Sequence, residues 1–158
     1  ASNVLRTRGR LPAAMVFVGD LLKGTVAAAM GTIASGTANP MSHLALLAGL
    51  AAFLGHCYPV FHRFKGGKGV ATAGGVLLWV VPLVAIVNAL IWAVVVKLTK
   101  VASIGSLIII TITVPLALWR GIEGLGLVWL GLILLLVVWR HRGNIGRMIK
   151  GSEQKVPA

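Results

Sequence analysis

The chain has 158 residues, of which 58% are hydrophobic and 11% are charged. Soluble domains average about 25% charged residues, so this composition excludes an ordinary soluble protein. It predicts a single all-α domain, a polytopic membrane bundle with helices of about 20 residues each. Fifteen lysines and arginines face three acids. Because most of these cations lie in short segments beside apolar runs, they indicate membrane topology and anionic ligands rather than nucleic acid.

The first apolar run, residues 11–35, contains Asp20 and Lys23, which lie three positions apart on one helical face. An ion pair between them would lower the cost of placing charge inside a bilayer. We interpret this pair as a structural contact between helices. A second, shorter run covers residues 43–60 and ends near His56, an isolated histidine typical of a hydrogen-bonded packing residue.

Residues 70–96 form an apolar run of about 27 residues, which is long for one span. Gly74, Gly75 and Pro82 interrupt it. If the run crossed the membrane once, the basic segments on either side of it would lie on opposite faces, against the positive-inside rule. We therefore predict a pair of short or re-entrant helices, broken near Pro82. Four basic segments then share one membrane face: residues 1–10, 63–68, 97–100 and 140–155.

Two further apolar runs, residues 101–119 and 124–139, complete a set of about six expected membrane helices. The single cysteine, Cys57, cannot form a disulfide within the chain. No group of histidines and cysteines has the spacing of a metal site, so the sequence predicts no metal and no cofactor.

Residues 62–69, His-Arg-Phe-Lys-Gly-Gly-Lys-Gly, form a basic segment that we call the glycine loop. Gly66, Gly67 and Gly69 have no Cβ, so the backbone can adopt positive φ and expose its N–H groups to a ligand. Lys68 supplies a cation, and the helix expected to begin at Val70 offers further N–H groups to an anion. The loop predicts a phosphate site. The alternative is a basic loop that only sets topology.

A second polar feature lies in the basic segment 140–155, where His141 and Asn144 would share one side of a helix. With residues 1–10 and the glycine loop, this segment would converge on one membrane face. A phosphorylated substrate could bind there, with an acyl chain in the apolar interior.

Three segments resemble the bacterial acyl-phosphate-dependent glycerol-3-phosphate acyltransferases of the PlsY type. Residues 1–6, Ala-Ser-Asn-Val-Leu-Arg, are similar to the end of the first family motif, Ser-Gly-Asn-x-Gly-Ala-x-Asn-Val-x-Arg. Residues 55–72 are similar to the second, which runs from Gly-His-x-x-Pro-Val-Phe to Phe-Lys-Gly-Gly-Lys-Gly-Val-Ala-Thr. Residues 141–147, His-Arg-x-Asn-Ile-x-Arg, resemble the third, with Gly143 where relatives often carry an acid. The resemblance covers essentially the whole chain.

This resemblance implies a seven-helix enzyme of the bacterial inner membrane, with its active site facing the cytoplasm. It would transfer a fatty acyl group from acyl phosphate to the 1-hydroxyl of sn-glycerol 3-phosphate, giving lysophosphatidic acid and phosphate, the first step of phospholipid biosynthesis. The implied partners are these two substrates, membrane lipids and the upstream enzyme that forms acyl phosphate. Because one helix and half of the first motif would precede Ala1, the resemblance also implies a sequence shortened at its N-terminus.

The resemblance implies a phosphate and substrate site built from ten residues: Ser2, Asn3, Arg6, Gly66, Gly67, Lys68, Gly69, Ser103, His141 and Asn144. Among these, Lys68 and the loop glycines would bind phosphate. His141 would orient the substrate or act as a general base, since an imidazole titrates near neutral pH. The phosphate of glycerol phosphate is the alternative proton acceptor.

Two other classes of protein remain as alternatives. A membrane transporter of phosphate-containing anions would use similar broken helices and basic loops, although such proteins often carry internal repeats that this sequence does not show. A structural subunit without chemistry is the second alternative. The His-x4-Asp dyad of acyl-CoA-dependent acyltransferases follows none of the four histidines, and no Gly-x-Ser-x-Gly motif is present.

Overall fold

The computed structural model describes residues 2–156, except for the side chain of Ser2. The described residues form eight α-helices and a short 3-10 helix at Val60–His62. In chain order the α-helices are α1 (Ser2–Arg8), α2 (Arg10–Ala34), α3 (His43–Cys57), α4 (Val70–Val80), α5 (Pro82–Thr99), α6 (Ala102–Trp119), α7 (Gly124–Arg140) and α8 (Arg142–Ile149).

Four helical segments are long and apolar enough to cross a membrane: α2, α3 extended to His62, α5 and α6. Helices α7 and α8 meet at a bend of 47° and together make a fifth candidate. Helix α4 has 11 residues and a length of about 16 Å, roughly half of a 30 Å hydrocarbon core. The expected all-α membrane bundle is therefore confirmed, with its six apolar helices present as α2 to α7.

The apolar run 70–96 is divided near Pro82, as predicted. Val81 has φ −143° and ψ 75°, and Pro82 begins α5. Proline disfavours helical geometry in the residue before it and suits the first turn of the next helix, so the break lies where the sequence places it. Of the two helices, only α4 is short, because α5 continues to Thr99 and is long enough to span.

The basic segments meet at one end of the bundle, which we call the basic end. The N–H group of Val156 donates to the carbonyl of Lys100 at 2.7 Å, which places the last described residues beside the turn between α5 and α6. Arg140 donates to the glycine loop at 3.0 Å. The charge of Arg6 lies close enough to act on the ammonium group of Lys68. This arrangement agrees with the charge pattern of the sequence.

The ion pair predicted between Asp20 and Lys23 is present at 2.6 Å. His56 of α3 joins it, with Nδ1 lying 2.6 Å from the Lys23 ammonium and 3.2 Å from the Asp20 carboxylate. The three side chains connect α2 to α3 beneath the glycine loop. The interpretation of His56 as a hydrogen-bonded packing residue is confirmed.

Helix α2 packs against α4 at glycines, which bring the two backbones close together. A Cβ on Gly24 would overlap the carbonyl oxygen of Thr72, and a Cβ on Gly75 would overlap the carbonyl oxygen of Leu21. The Thr25 hydroxyl donates to the Gly75 carbonyl at 2.9 Å. Because lipid gives no hydrophobic drive for helix association, close packing of this kind holds membrane helices together.

We expect Gly24→Ala and Gly75→Ala each to lower the unfolding temperature of the protein in detergent. Each added methyl group would meet backbone, which cannot move aside without separating the helices, and overpacking of this kind typically costs about 1–3 kcal/mol. Gly19→Ala is the matched control in α2, since its Cβ would enter open space. Equal unfolding temperatures for all three variants would contradict this account of the interface.

Candidate active site

The glycine loop is pressed against the C-terminal end of α3. The N–H groups of Gly66 and Gly67 donate to the carbonyls of Cys57 and His56 at 3.2 and 3.3 Å. A Cβ on Gly66 would overlap the His56 carbonyl oxygen, and a Cβ on Gly67 would overlap the His56 ring. Both glycines are therefore required by contact with α3.

The reason predicted for the glycines, freedom to adopt positive φ, is wrong for two of the three. Gly66 and Gly67 are not among the residues with positive φ, whereas Gly69 has φ 78°. A Cβ on Gly69 would also overlap the ring of Phe53. The loop residues that occupy the left-handed region besides Gly69 are Arg63 and Phe64.

After Gly67, the backbone donors of the loop are unused within the described residues. Five successive N–H groups, at residues 68–72, have no hydrogen-bond partner among the described residues. The next donor, Ala73, bonds the Gly69 carbonyl at 2.8 Å. The five groups belong to the end of the loop and the first turn of α4, where free N–H groups and the helix dipole favour an anion.

A cavity of about 360 Å³ opens beside the loop. The glycine loop supplies one wall and the region around the bend between α7 and α8 supplies the other. Four of the six lining residues are cations, and among the described residues no acid lines the cavity. The lining consists of Lys68, Arg140, Arg142, Gly143, Asn144 and Arg147.

Three of the four cations already have partners. Arg140 donates to two carbonyls of the glycine loop at 2.7 and 3.0 Å. Arg142 donates to the carbonyl of Trp139 at 3.1 Å and lies over its ring at 4.6 Å. Arg147 pairs with Glu153 at 2.8 Å. These arginines are held in place before any ligand binds.

Lys68 differs from these arginines, because its ammonium group has no hydrogen bond or ion pair within the described residues, although the residue is half-buried. Burial lowers the pKa of Lys68, the nearby Glu153 carboxylate offsets part of that change, and Arg147 and Arg6 lower the pKa further. A half-buried cation without a counterion lies next to five unused N–H groups. This combination favours an anion with several oxygen acceptors, such as phosphate.

The ten predicted site residues include neither Glu153 nor the three arginines that line the cavity, Arg140, Arg142 and Arg147. The side chain of Glu153 is 8% exposed and accepts hydrogen bonds from Ser103 at 2.8 Å, from Asn144, and from Arg147 at 2.8 Å. Burial alone would raise the pKa of Glu153, but the three hydrogen bonds outweigh it and lower the pKa. The available signal was that Glu153 is the single acid in residues 140–155.

His141 and Asn144 lie together at the start of α8, and both are buried. The Nδ1 atom of His141 lies 2.8 Å from the carbonyl oxygen of Val137. Because a carbonyl oxygen can only accept, Nδ1 carries the proton, and Nε2 is the acceptor when the ring is neutral. Nε2 has no hydrogen-bond partner among the described residues, but His141 is 1% exposed and does not line the cavity.

Lys68 and Asn144 line the cavity, whereas His141, the three loop glycines, Asn3, Arg6 and Ser103 do not. Asn3 and Arg6 are exposed on α1, although the charge of Arg6 acts on Lys68. Ser103 reaches the cavity wall indirectly, through Glu153. The side chain of Ser2 lies outside the described residues.

Comparison with known proteins shows the family. A family model described as glycerol-3-phosphate acyltransferase matches residues 1–151. The glycerol-3-phosphate acyltransferase of Roseobacter denitrificans is 44% identical, over 99% of this chain and 75% of that protein. The corresponding protein of Neisseria meningitidis is 41% identical, over 99% of this chain and 78% of that protein. This chain belongs to the glycerol-3-phosphate acyltransferase family.

Two solved structures of an integral membrane glycerol 3-phosphate acyltransferase, PlsY, have the same fold. The glycerol 3-phosphate form has a TM-score of 0.90 and 35% identity, over 98% of this chain and 76% of that one. The lysophosphatidic acid form has a TM-score of 0.88 and covers 97% of this chain. The chain is therefore a multi-pass membrane enzyme of the acyltransferase class, as the sequence resemblance implies. The transporter alternative receives no support.

The environment of Glu153 predicts a pH dependence of stability. Because folding lowers its pKa, the ionised carboxylate stabilises the fold above its ordinary pKa of 4.5, and this contribution is lost as the pH falls below that value. We expect Glu153→Gln to lower the unfolding temperature at pH 7 and to weaken the decline of that temperature as the pH falls below about 5. Thermal unfolding in detergent at a series of pH values measures both effects.

Glu123→Gln is the control, because Glu123 is exposed and its side chain caps no helix. If the unfolding temperatures of the wild-type protein and of Glu153→Gln changed in parallel with pH, the hydrogen bonds to Glu153 would not contribute to stability.

Proposed function

We propose that this enzyme transfers a fatty acyl group from an acyl phosphate to the 1-hydroxyl of sn-glycerol 3-phosphate, producing lysophosphatidic acid and inorganic phosphate. The observation that supports the proposal most strongly is the unpaired ammonium of Lys68 beside the free N–H groups of residues 68–72. Both proposed substrates carry a phosphate group, which supplies the missing counterion. Membership in an acyltransferase family supports the transfer chemistry.

The proposed roles of the site residues follow from their positions. Lys68 and the N–H groups of the loop hold a phosphate, and Asn144 faces the same cavity from the opposite wall. Gly66, Gly67 and Gly69 allow the loop to reach this position. Ser103 supports Asn144 through their shared partner Glu153, and Ser2, Asn3 and Arg6 contribute substrate contacts from the side of α1.

An acyl phosphate is already activated, so the transfer needs no nucleophilic residue of the enzyme. The glycerol hydroxyl oxygen forms a bond to the acyl carbon, the bond from that carbon to the bridging oxygen breaks, and phosphate leaves with the electron pair. The hydroxyl proton passes to a phosphate oxygen of glycerol phosphate. The enzyme contributes positioning and cationic donors that stabilise the charge on the leaving phosphate.

We place the enzyme in the plasma membrane of a bacterium, with the basic end facing the cytoplasm. The named relatives are bacterial proteins, and lysine and arginine favour the cytoplasmic side of a membrane. Soluble glycerol phosphate would then reach the cavity from the cytoplasm. The upstream enzyme that forms acyl phosphate would supply the donor at the same face.

The first test offers labelled glycerol 3-phosphate, with palmitoyl phosphate or palmitoyl-CoA, to the full gene product that carries this sequence. We expect lysophosphatidic acid from the phosphate donor only. Lys68→Met should lower kcat/KM by about a hundredfold or more, because no other unpaired cation of the cavity can replace its charge. Radiometric detection of the product measures both donors and both proteins.

Lys65→Met is the matched control, since Lys65 is an exposed lysine of the same loop that does not line the cavity. We expect it to retain wild-type activity. Product formed from the CoA donor, or full activity in Lys68→Met, would overturn the proposal.

A second test concerns His141, which we propose binds and orients the substrate. His141→Gln should raise KM more than it lowers kcat, and kcat should fall by less than about tenfold, because the substrate phosphate accepts the proton. His43→Gln, an exposed position at the start of α3, is the control. A roughly thousandfold loss of kcat in His141→Gln at unchanged KM would identify His141 as the general base instead.

A further inference from the structure

Arg140, the last residue of α7, forms hydrogen bonds with the backbone of the glycine loop. Its Nη2 donates to the Gly66 carbonyl at 2.7 Å, and its Nε donates to the Gly67 carbonyl at 3.0 Å. The guanidinium group lies over the ring of Tyr58 at 5.1 Å. No carboxylate pairs with Arg140 among the described residues. Its fixed partners are thus the loop carbonyls and an aromatic ring.

These two hydrogen bonds are the only ones that join the glycine loop to α7 and α8 within the described residues. The other hydrogen bonds of the loop lead to the loop itself, to residues 56–60 before it, and to Ala73 of α4. The loop carries Lys68, and the region of α8 carries Asn144 and Arg147. Arg140 therefore joins the two walls of the cavity by hydrogen bonds.

The geometry of the peptide group shows how Arg140 orients the loop. In a planar trans peptide, the carbonyl and the following N–H point in opposite directions. The Gly66 carbonyl faces Arg140 while the Gly67 N–H faces the His56 carbonyl, so one peptide plane is held from both sides. The Gly67 carbonyl also faces Arg140, which fixes the plane from which Lys68 extends.

Arg140 also changes the electrostatics of the cavity. Two carbonyl oxygens at the edge of an anion site would repel a phosphate, and a guanidinium group that covers them removes this repulsion. A lysine could not make the same contact, because its ammonium is a single point and lacks the planar fork that reaches two acceptors and stacks on a ring.

We propose that Arg140 is a positioning residue for phosphate binding, which acts by clamping the Gly66 and Gly67 carbonyls and holding Lys68 opposite Asn144. The inference rests on the proposed function for its kinetic consequence. Its structural consequence, an ordered loop without substrate, is independent of the reaction.

The test compares wild-type protein with Arg140→Lys in two measurements. Hydrogen–deuterium exchange without substrate should show the amides of Gly66 and Gly67 exchanging at least about threefold faster in the variant, because the loop opens more often. In the acyl transfer assay, KM for glycerol 3-phosphate should rise roughly tenfold, with a smaller fall in kcat. Arg120→Lys, which alters a stacked arginine over Trp119 away from the cavity, should change neither.

A second pair of variants tests the same clamp without altering Arg140. Tyr58→Leu removes the ring under the guanidinium and, like Arg140→Lys, should speed exchange of the Gly66 and Gly67 amides and raise KM. Tyr58→Phe keeps the ring and should behave as wild type. Because both substitutions act through the same contact, adding Tyr58→Leu to Arg140→Lys should change the exchange rate and KM little further.

Two outcomes would overturn the proposal. A raised KM with unchanged exchange would mean that Arg140 binds the substrate directly, and faster exchange with an unchanged KM would mean that loop order does not matter for binding. If wild-type protein forms no product with either donor, the proposed function fails. In that case, amide hydrogen exchange and calorimetric binding of inorganic phosphate, each compared between wild-type protein and Arg140→Lys, test the role of Arg140 separately.

Discussion

The contact between the glycine loop and the end of α3 is the constraint on which the basic end depends. The last carbonyls of a helix have no partners within it, and an unpaired carbonyl is costly in a membrane protein. Gly66 and Gly67 come close enough for their N–H groups to bond the carbonyls of Cys57 and His56. The contact uses the donors of Gly66 and Gly67 and leaves those of residues 68–72 without partners among the described residues. This one contact therefore satisfies the last carbonyls of α3 and leaves the N–H groups that follow it available to bind an anion.

Two side chains of opposite charge, Arg140 and Glu153, hold the two walls of the anion site in position. On the loop side, the guanidinium of Arg140 covers two carbonyl oxygens. On the other side, the carboxylate of Glu153 gathers the donors of Ser103, Asn144 and Arg147. Each side chain satisfies groups that would otherwise compete with a ligand or repel it. Of the four cations that line the cavity, Lys68 is therefore the one without a hydrogen bond or ion pair among the described residues.

The sequence was sufficient for the features that depend on local rules. Proline chemistry located the break before Pro82, and the charge pattern placed the basic segments together. It was insufficient where the partners are distant in sequence. Arg140 resembled a determinant of topology, because its partner Gly67 lies 73 positions away, and Glu153 resembled background charge, because its partner Ser103 lies 50 positions away. The loop glycines were recognised, but Gly66 and Gly67 serve packing against α3, which no local pattern reveals.

The order in which the cavity's parts occur along the chain also matters for assembly. Helices α2 to α6 precede Arg140, Asn144 and Glu153, so they enter the membrane before the second wall is synthesised. Contacts between distant parts of a chain form late, because the intervening segment must first be ordered. The bundle can therefore be inserted and largely packed while it still cannot retain an anion.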